Sequence, residues 1–226
     1  MNKHTFEALE GYLNQHLKDS AHDRQHIDRV LYTALDIAEH EQSVNFDILI
    51  AACLLHDVAR PLEAPGSDVC HARAGGAMAY DFLRSIGWEE AACRHVRDAI
   101  ITHRYRTDAR PQTIEAKILF DADKLDAAGA LGIARTLLYK GQHGQPLYTL
   151  DANGHVQDGS ETKQPSLFRE YRFKLQNVYE GMLTQRGREL ALARRATAEA
   201  FYRDMLAEVR SCHEDGGAIL EQVLVK

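Results

Sequence analysis

The chain lacks most of what marks a disulfide-built, membrane-spanning or nucleic-acid-coating protein. Its four cysteines, Cys53, Cys70, Cys93 and Cys212, are scattered without a CxxC pair. Neither a disulfide framework nor a thiolate zinc site is expected, and the thiols read as reduced. No apolar run approaches the roughly 20 residues of a membrane helix. The start, Met1 to Glu10, is polar and carries Glu7 and Glu10 rather than a basic stretch leading into an apolar one. No signal peptide is therefore expected, and the reading is cytoplasmic with no membrane partner. Positive charge is also scarce: 27 Lys and Arg stand against 33 Asp and Glu, a net charge of −6. That balance argues against broad nucleic-acid or anionic-membrane binding. An anionic substrate would need a local attractor, either a metal ion or a few placed cations.

What is present is helical periodicity. Hydrophobic residues at 45% and charged residues at 27% are ordinary for a globular protein. Apolar positions recur at helical spacing through Phe6–Leu17, Ile27–Ile37, Phe46–Leu54, Ala74–Leu83, Ala92–His103 and Ile114–Leu125. Asn45 is a suitable N-cap for the third of these helices. Pro61, Pro65 and Gly66 make Arg60 to Val69 a loop, and Gly129 and Gly132 are expected to interrupt the sixth helix. Gly141 to Pro165 holds four glycines and two prolines and reads as a long loop with a small hairpin near Leu147 to Val156. Helical period returns from Ser166, ending in a long helix from about Thr184 to Val209. Its face from Arg186 to Glu199 reads as solvated, with Leu190, Ala193, Phe201 and Leu206 as its apolar surface. No linker divides the chain, so 1–226 reads as a single domain. Within it lie a core at about 20–140, the loop 141–165 and C-terminal helices over 166–211.

Twelve histidines are the compositional oddity. His26 lies four residues before Val30 and shares its apolar face. His56 and Asp57 directly follow the run Ala51-Ala52-Cys53-Leu54-Leu55. An isolated carboxylate there would be costly to bury, so Asp57 needs a partner, and a divalent cation would satisfy it. Asp121, Asp123 and Asp126 interrupt a further apolar segment. At about 100° per residue, Asp123 and Asp126 are about 60° apart, whereas Asp121 and Asp123 are about 160° apart. Imidazole with carboxylate suits a borderline or hard divalent metal that keeps positions open for water and substrate. A lone histidine on an apolar face is more often a satisfied core residue. The ordered set His26, His56-Asp57, Asp123 is what favours metal.

That order resembles the H…HD…D signature of the HD-domain superfamily. The words HDRQHIDRV (His22–Val30), ACLLHDVAR (Ala52–Arg60) and EAKILFDADKLDAAGALGIART (Glu115–Thr136) are similar to bacterial HD-domain hydrolases of the YedJ and YpgQ type. The segment Arg172–Arg195 is also similar, so the likeness spans nearly the whole chain. The HD dipeptide alone is weak; the ordered set in matching helical words is specific. The resemblance implies an all-α helical bundle and a metal-dependent phosphohydrolase acting on a nucleotide or another small phosphorylated metabolite. It implies His26, His56, Asp57 and Asp123 as metal ligands, with Asp121 turned away. Manganese is first choice, ahead of Mg, Fe, Co, Ni and Zn. Arg60 departs from the acidic or small residue common in relatives, so substrate preference does not carry over.

His71, opening the fourth helix, and His103, closing the fifth, fall where related phosphodiesterases place extra histidines. They would bind a second metal or contact phosphate, against a plain reading as helix-end residues favoured by exposure or dipole. Asp57 is expected to orient water as well as ligate, and Asp126 to support the metal or the substrate. Lys124 is either a phosphate contact or a partner of Asp121, with the latter favoured. The cation that balances the charge of the leaving phosphate is either Lys124 or an arginine of the 104–106 loop. An HD-type di-iron oxygenase and a metal-binding regulatory module are the alternatives, and assembly into a homo-oligomer is left open.

Overall fold

A computed structural model describes residues 1–17, 24–63, 69–104 and 109–224. His22, Pro65, Gly66 and Arg106, which figured in the sequence reading, lie outside the described residues. Among the described residues the fold is all-α apart from one two-stranded ribbon. No helix among the described residues is long and apolar enough to cross a membrane. The four cysteines are free thiols, Cys53 and Cys93 buried and Cys212 exposed.

Two compact units divide the chain: residues 1–126 with 182–188, and residues 127–181 with 189–226. The first unit contains α1 (Lys3–His16), α2 (Arg24–Ala38), α3 (Phe46–Leu55), α4 (His71–Ser85), α5 (Glu90–Thr102) and α6 (Ile114–Leu125). α3 packs against α1, α2, α5 and α6. Ile48, Leu49, Ala51, Ala52, Cys53, Leu54 and Leu55 are all buried, because a helix apolar on every side belongs in the centre of a bundle. Asn45 caps it, its side-chain oxygen accepting from the amides of Asp47 and Ile48. α3 ends at Leu55, so His56 stands at its C-cap and Asp57 in the turn beyond. α2 contributes Ile27, Val30, Ala34 and Ile37 to the core, and α6 contributes Ile118, Leu119, Ala122 and Leu125.

The start of α9 (Gln185–Arg210) is also tied into this unit. Asp121 accepts from the amides of Leu183 (2.9 Å) and Thr184 (2.7 Å) and from the Thr184 hydroxyl (2.7 Å). A Cβ on Gly187 would stand 2.4 Å from the Asp121 carboxylate, so only glycine fits there. Arg186 pairs with Asp36 at 3.1 Å, so the expected solvated face begins with a tertiary ion pair.

In the second unit, α7 (Gly129–Gln142) starts where Gly129 takes φ +67°, a left-handed conformation that favours glycine. α6 therefore ends before these glycines and a new helix begins at Gly129. β1 (Thr149–Leu150) and β2 (Val156–Gln157) form the small antiparallel hairpin in the long loop. α8 (Leu167–Phe173) and a 3₁₀ segment (Leu175–Glu180) lead to Gly181. Lys140 is buried and held by Gln145 and Glu170. On α9 the buried positions are Ala191, Ala198 and Tyr202, with Tyr202 stacked on Tyr171 at 3.8 Å. This stripe is displaced from the expected Leu190, Ala193, Phe201 and Leu206, because the aromatic stack sets the helix's rotation. Helical structure also continues past Val209, through a π turn at Ser211–Asp215 into α10 (Gly216–Leu224).

Candidate metal centre

The first unit gathers His26, His56, Asp57, His71, His103 and Asp123. His26 comes from α2, Asp123 from α6, His56 from the C-cap of α3, His71 from the first position of α4, and His103 from the C-cap of α5. All four histidines and Asp57 are 5% exposed or less. The plain reading of His71 as a solvent-exposed helix-start residue is therefore corrected, while His103 does stand at a helix C-terminus but is buried there.

The ring orientations follow a single rule. Each Nδ1 has a neighbour that accepts a hydrogen bond: Asp126 for His26 (2.6 Å), the Cys53 carbonyl for His56 (2.8 Å), the Ile100 carbonyl for His103 (2.6 Å), and Glu63 for His71. A proton on each Nδ1 leaves each Nε2 lone pair free and facing inward, the arrangement typical of metal-ligating imidazoles. The His26 and His56 Nε2 atoms are 3.3 Å apart. His26 Nε2 is 3.6 Å from Asp123 Oδ1, and His71 Nε2 is 3.3 Å from Asp57 Oδ1. Asp57 spans the group: its Oδ2 is 3.7 Å from both His26 and His56 Nε2, and its Oδ1 is 3.8 Å from His103 Nε2.

Two trios result, His26–His56–Asp123 and Asp57–His71–His103, each with donor atoms within 4.8 Å of one another. Donors about 2.1 Å from an ion lie about 3.0–3.4 Å apart in octahedral or tetrahedral spheres. The separations of 3.3–3.8 Å are at or just beyond that range, so small side-chain rotations close a sphere.

Protonation states also fit. Burial, reinforced by the neighbouring His56, pushes His103 down to about 3. Burial likewise lowers His71, against the pull of Asp57 and Glu63. Burial works to raise Asp123, but Lys124 and the surrounding histidines hold it well below the usual carboxylate range. Neutral imidazole and ionised carboxylate are the forms a divalent cation requires. The donor set therefore fits divalent metal, and it offers two positions.

Around the donors lies a second layer. Asp126 is buried behind His26 and also accepts from Arg29 Nε at 2.7 Å, so it orients a ring rather than facing substrate. Lys124 donates to Asp123 (2.7 Å) and to the His103 carbonyl (3.1 Å). Its favoured pairing with Asp121 is thereby corrected, since Asp121 serves Leu183 and Thr184 on the other side of α6. Glu63 binds His71, Arg60 (3.2 Å) and Arg104 (3.1 Å). Sequence reasoning missed Arg29 and Glu63. Arg29 follows His26 by three residues on one helical face, a signal that was there to use; Glu63 had none, because loop geometry alone brings it to His71.

The HD domain family matches residues 24–128, the stretch that holds all six donors. The chain is 30% identical over 196 residues to the protein YpgQ of Bacillus subtilis, covering 85% of this chain and 86% of that one. The crystal structure of an HD-superfamily hydrolase from Bacillus thuringiensis superposes with a TM-score of 0.68 at 31% identity, covering 91% of this chain and 97% of that one. The structure of B. subtilis YpgQ in complex with ADP superposes with a TM-score of 0.69 at 26% identity, covering 90% and 97%. Likeness over this much of the chain, centred on the segment that carries the donors, makes it a member of the HD-domain superfamily.

Proposed function

We propose that this protein is a divalent-metal-dependent phosphohydrolase that cleaves a nucleotide or another small phosphorylated metabolite. The observation that carries the reading is the convergence of four Nε2 atoms and two carboxylates, with each Nδ1 held by an acceptor. His26, His56 and Asp123 would hold one ion and His71, His103 and Asp57 a second, with manganese the favoured metal. When bound, such ions polarise a phosphoryl oxygen and lower the pKa of water. Asp57 orients the attacking water while Asp126 fixes His26. Lys124, largely buried beside Asp123, and Arg104 balance the charge on the phosphate. An acidic chain then still attracts an anion, because the positive charge sits where it is needed. The ADP complex of YpgQ supports a nucleotide. We place the protein in the cytoplasm.

The same two-position donor set suits two irons, which keeps an HD-type oxygenase as the second reading. A regulatory module is disfavoured because no donor is missing. The test is a panel of nucleoside mono-, di- and triphosphates with Mn, Mg, Co and Zn, with products resolved by chromatography. Release of phosphate or pyrophosphate from at least one compound is expected. Release from none, with metal bound, would sink the reading, and oxygen-dependent turnover of an iron-loaded sample would favour the oxygenase.

A further inference from the structure

His71 has two faces. Its Nε2 looks toward Asp57 and the metal centre, and its Nδ1 looks the other way, to Glu63 and, at 2.9 Å, to Arg60. Glu63 is held by donors from three sides: the His71 ring, Arg60 Nη1 at 3.2 Å and Arg104 Nη1 at 3.1 Å. Arg60 and Glu63 are each 27% exposed at the side chain and Arg104 17%, so the trio is partly open to solvent where the metal donors themselves are buried. Two guanidiniums and an imidazole N–H converging on one carboxylate form an oxyanion site whose occupant belongs to the chain itself. A phosphoryl group offers the same acceptor geometry with more charge and more oxygens.

We propose that Arg60, Arg104 and the His71 Nδ1–H form a second phosphoryl subsite, occupied in the resting protein by the Glu63 carboxylate and taken over by the neighbouring phosphoryl group of a condensed-phosphate substrate. The inference rests on the phosphohydrolase reading and narrows its substrate to di- or polyphosphates over monoesters. The exchange keeps the metal centre intact. Arg60 only donates, so if Glu63 left with nothing in its place, Arg60 would pull the His71 proton to Nε2 and spoil that donor. An incoming phosphoryl oxygen accepts from Nδ1–H as Glu63 did, so the tautomer that ligates metal persists. Glu63 is thus a competitor that only a second anion displaces, which gives selectivity by an unfavourable exchange as well as an attractive contact.

The test is calorimetric binding of methylenediphosphonate, a pyrophosphate mimic that resists hydrolysis, and of inorganic phosphate, to the manganese-loaded protein. Arg60→Gln and Arg104→Gln should each weaken the diphosphonate by about tenfold or more, the scale of a lost charge-assisted hydrogen bond, and change phosphate by less than about threefold. Glu63→Gln, which keeps shape and removes charge, should tighten the diphosphonate by a similar factor. Arg60→Lys should fall between wild type and Arg60→Gln, which guards against a folding artefact, as does metal content measured on every sample. Unchanged diphosphonate affinity in both arginine variants, or weaker binding in Glu63→Gln with metal retained, would overturn the proposal. If binding behaves as stated while no phosphorylated compound is ever cleaved, the subsite stands and the phosphohydrolase reading falls.

Discussion

Asp126→Asn isolates what a residue behind the metal ligands contributes. Asp126 Oδ2 accepts from His26 Nδ1 at 2.6 Å, and its Oδ1 accepts from Arg29 Nε at 2.7 Å. Asparagine keeps the shape and has one oxygen and one NH2. If the oxygen stays with Arg29, the NH2 faces His26, drives its proton to Nε2 and removes that donor. If the oxygen turns to His26, the NH2 opposes a guanidinium that is only one-third exposed. Both outcomes cost, and outer-layer partners of ligating histidines typically contribute about 10–100-fold in metal affinity. That range equals about 1.4–2.7 kcal/mol. The assay is manganese titration against a competing chelator, with circular dichroism to confirm the fold. Adding Arg29→Ala to Asp126→Asn releases the amide to present its oxygen to His26, so the double variant should recover part of the lost affinity. Manganese affinity within about threefold of wild type in folded Asp126→Asn would refute the assignment of Asp126 as the residue that orients His26.

The other two carboxylates of the same helix should behave differently. Asp123→Asn should abolish hydrolysis and weaken manganese binding by well over tenfold; a silent variant would place the ligand elsewhere. Asp121→Asn should leave metal content unchanged but cost about 2–3 kcal/mol in urea unfolding, because a buried acceptor of three donors is replaced by a group carrying a donor of its own; unchanged stability would contradict the lock it forms with Thr184. At saturating manganese, elemental analysis should give two ions per chain, falling to one in His71→Ala/His103→Ala; one ion in both would remove the second position. Metal-stripped protein should lose stability as pH falls below 6.5. The fold holds His103 unprotonated down to about 3, whereas the unfolded chain takes up that proton near 6.5. Stability therefore drops by up to about 1.4 kcal/mol per pH unit in this window, with His71 acting in the same direction. A urea midpoint that is flat between pH 7 and 5 would refute this.

How much was legible in the residues varies with the range of the interaction. Helical period marked α1 to α6 because each buries a stripe or, for α3, its whole surface, and burial patterns are local in sequence. The N-cap at Asn45 was readable for the same reason, since capping spans three residues. The stripe of α9 was misplaced because its rotation is set by Tyr202 on Tyr171, a contact 31 residues long that no local pattern records. Lys124 was assigned to Asp121, three residues back, but a long flexible side chain goes to the strongest nearby acceptor, which in the fold is Asp123.

The sequence by itself determined the helical class, the order His26, His56-Asp57, Asp123, and the separation of Asp123 from Asp121, because helix geometry rotates those two carboxylates to opposite sides. Only the tertiary structure decided which histidines join the centre and what holds them. His71 and His103 end up buried against Asp57 because α4 and α5 pack together and against α3, whose C-terminal turn holds it, not because of anything in their neighbouring residues. The acceptors that turn each Nε2 inward come from as far as Asp126 for His26, or from a loop residue such as Glu63, whose position no periodicity encodes. Ligand identity is a property of residue type and order. Ligand orientation depends on distances between chain segments remote in sequence, and those exist only once the bundle has closed.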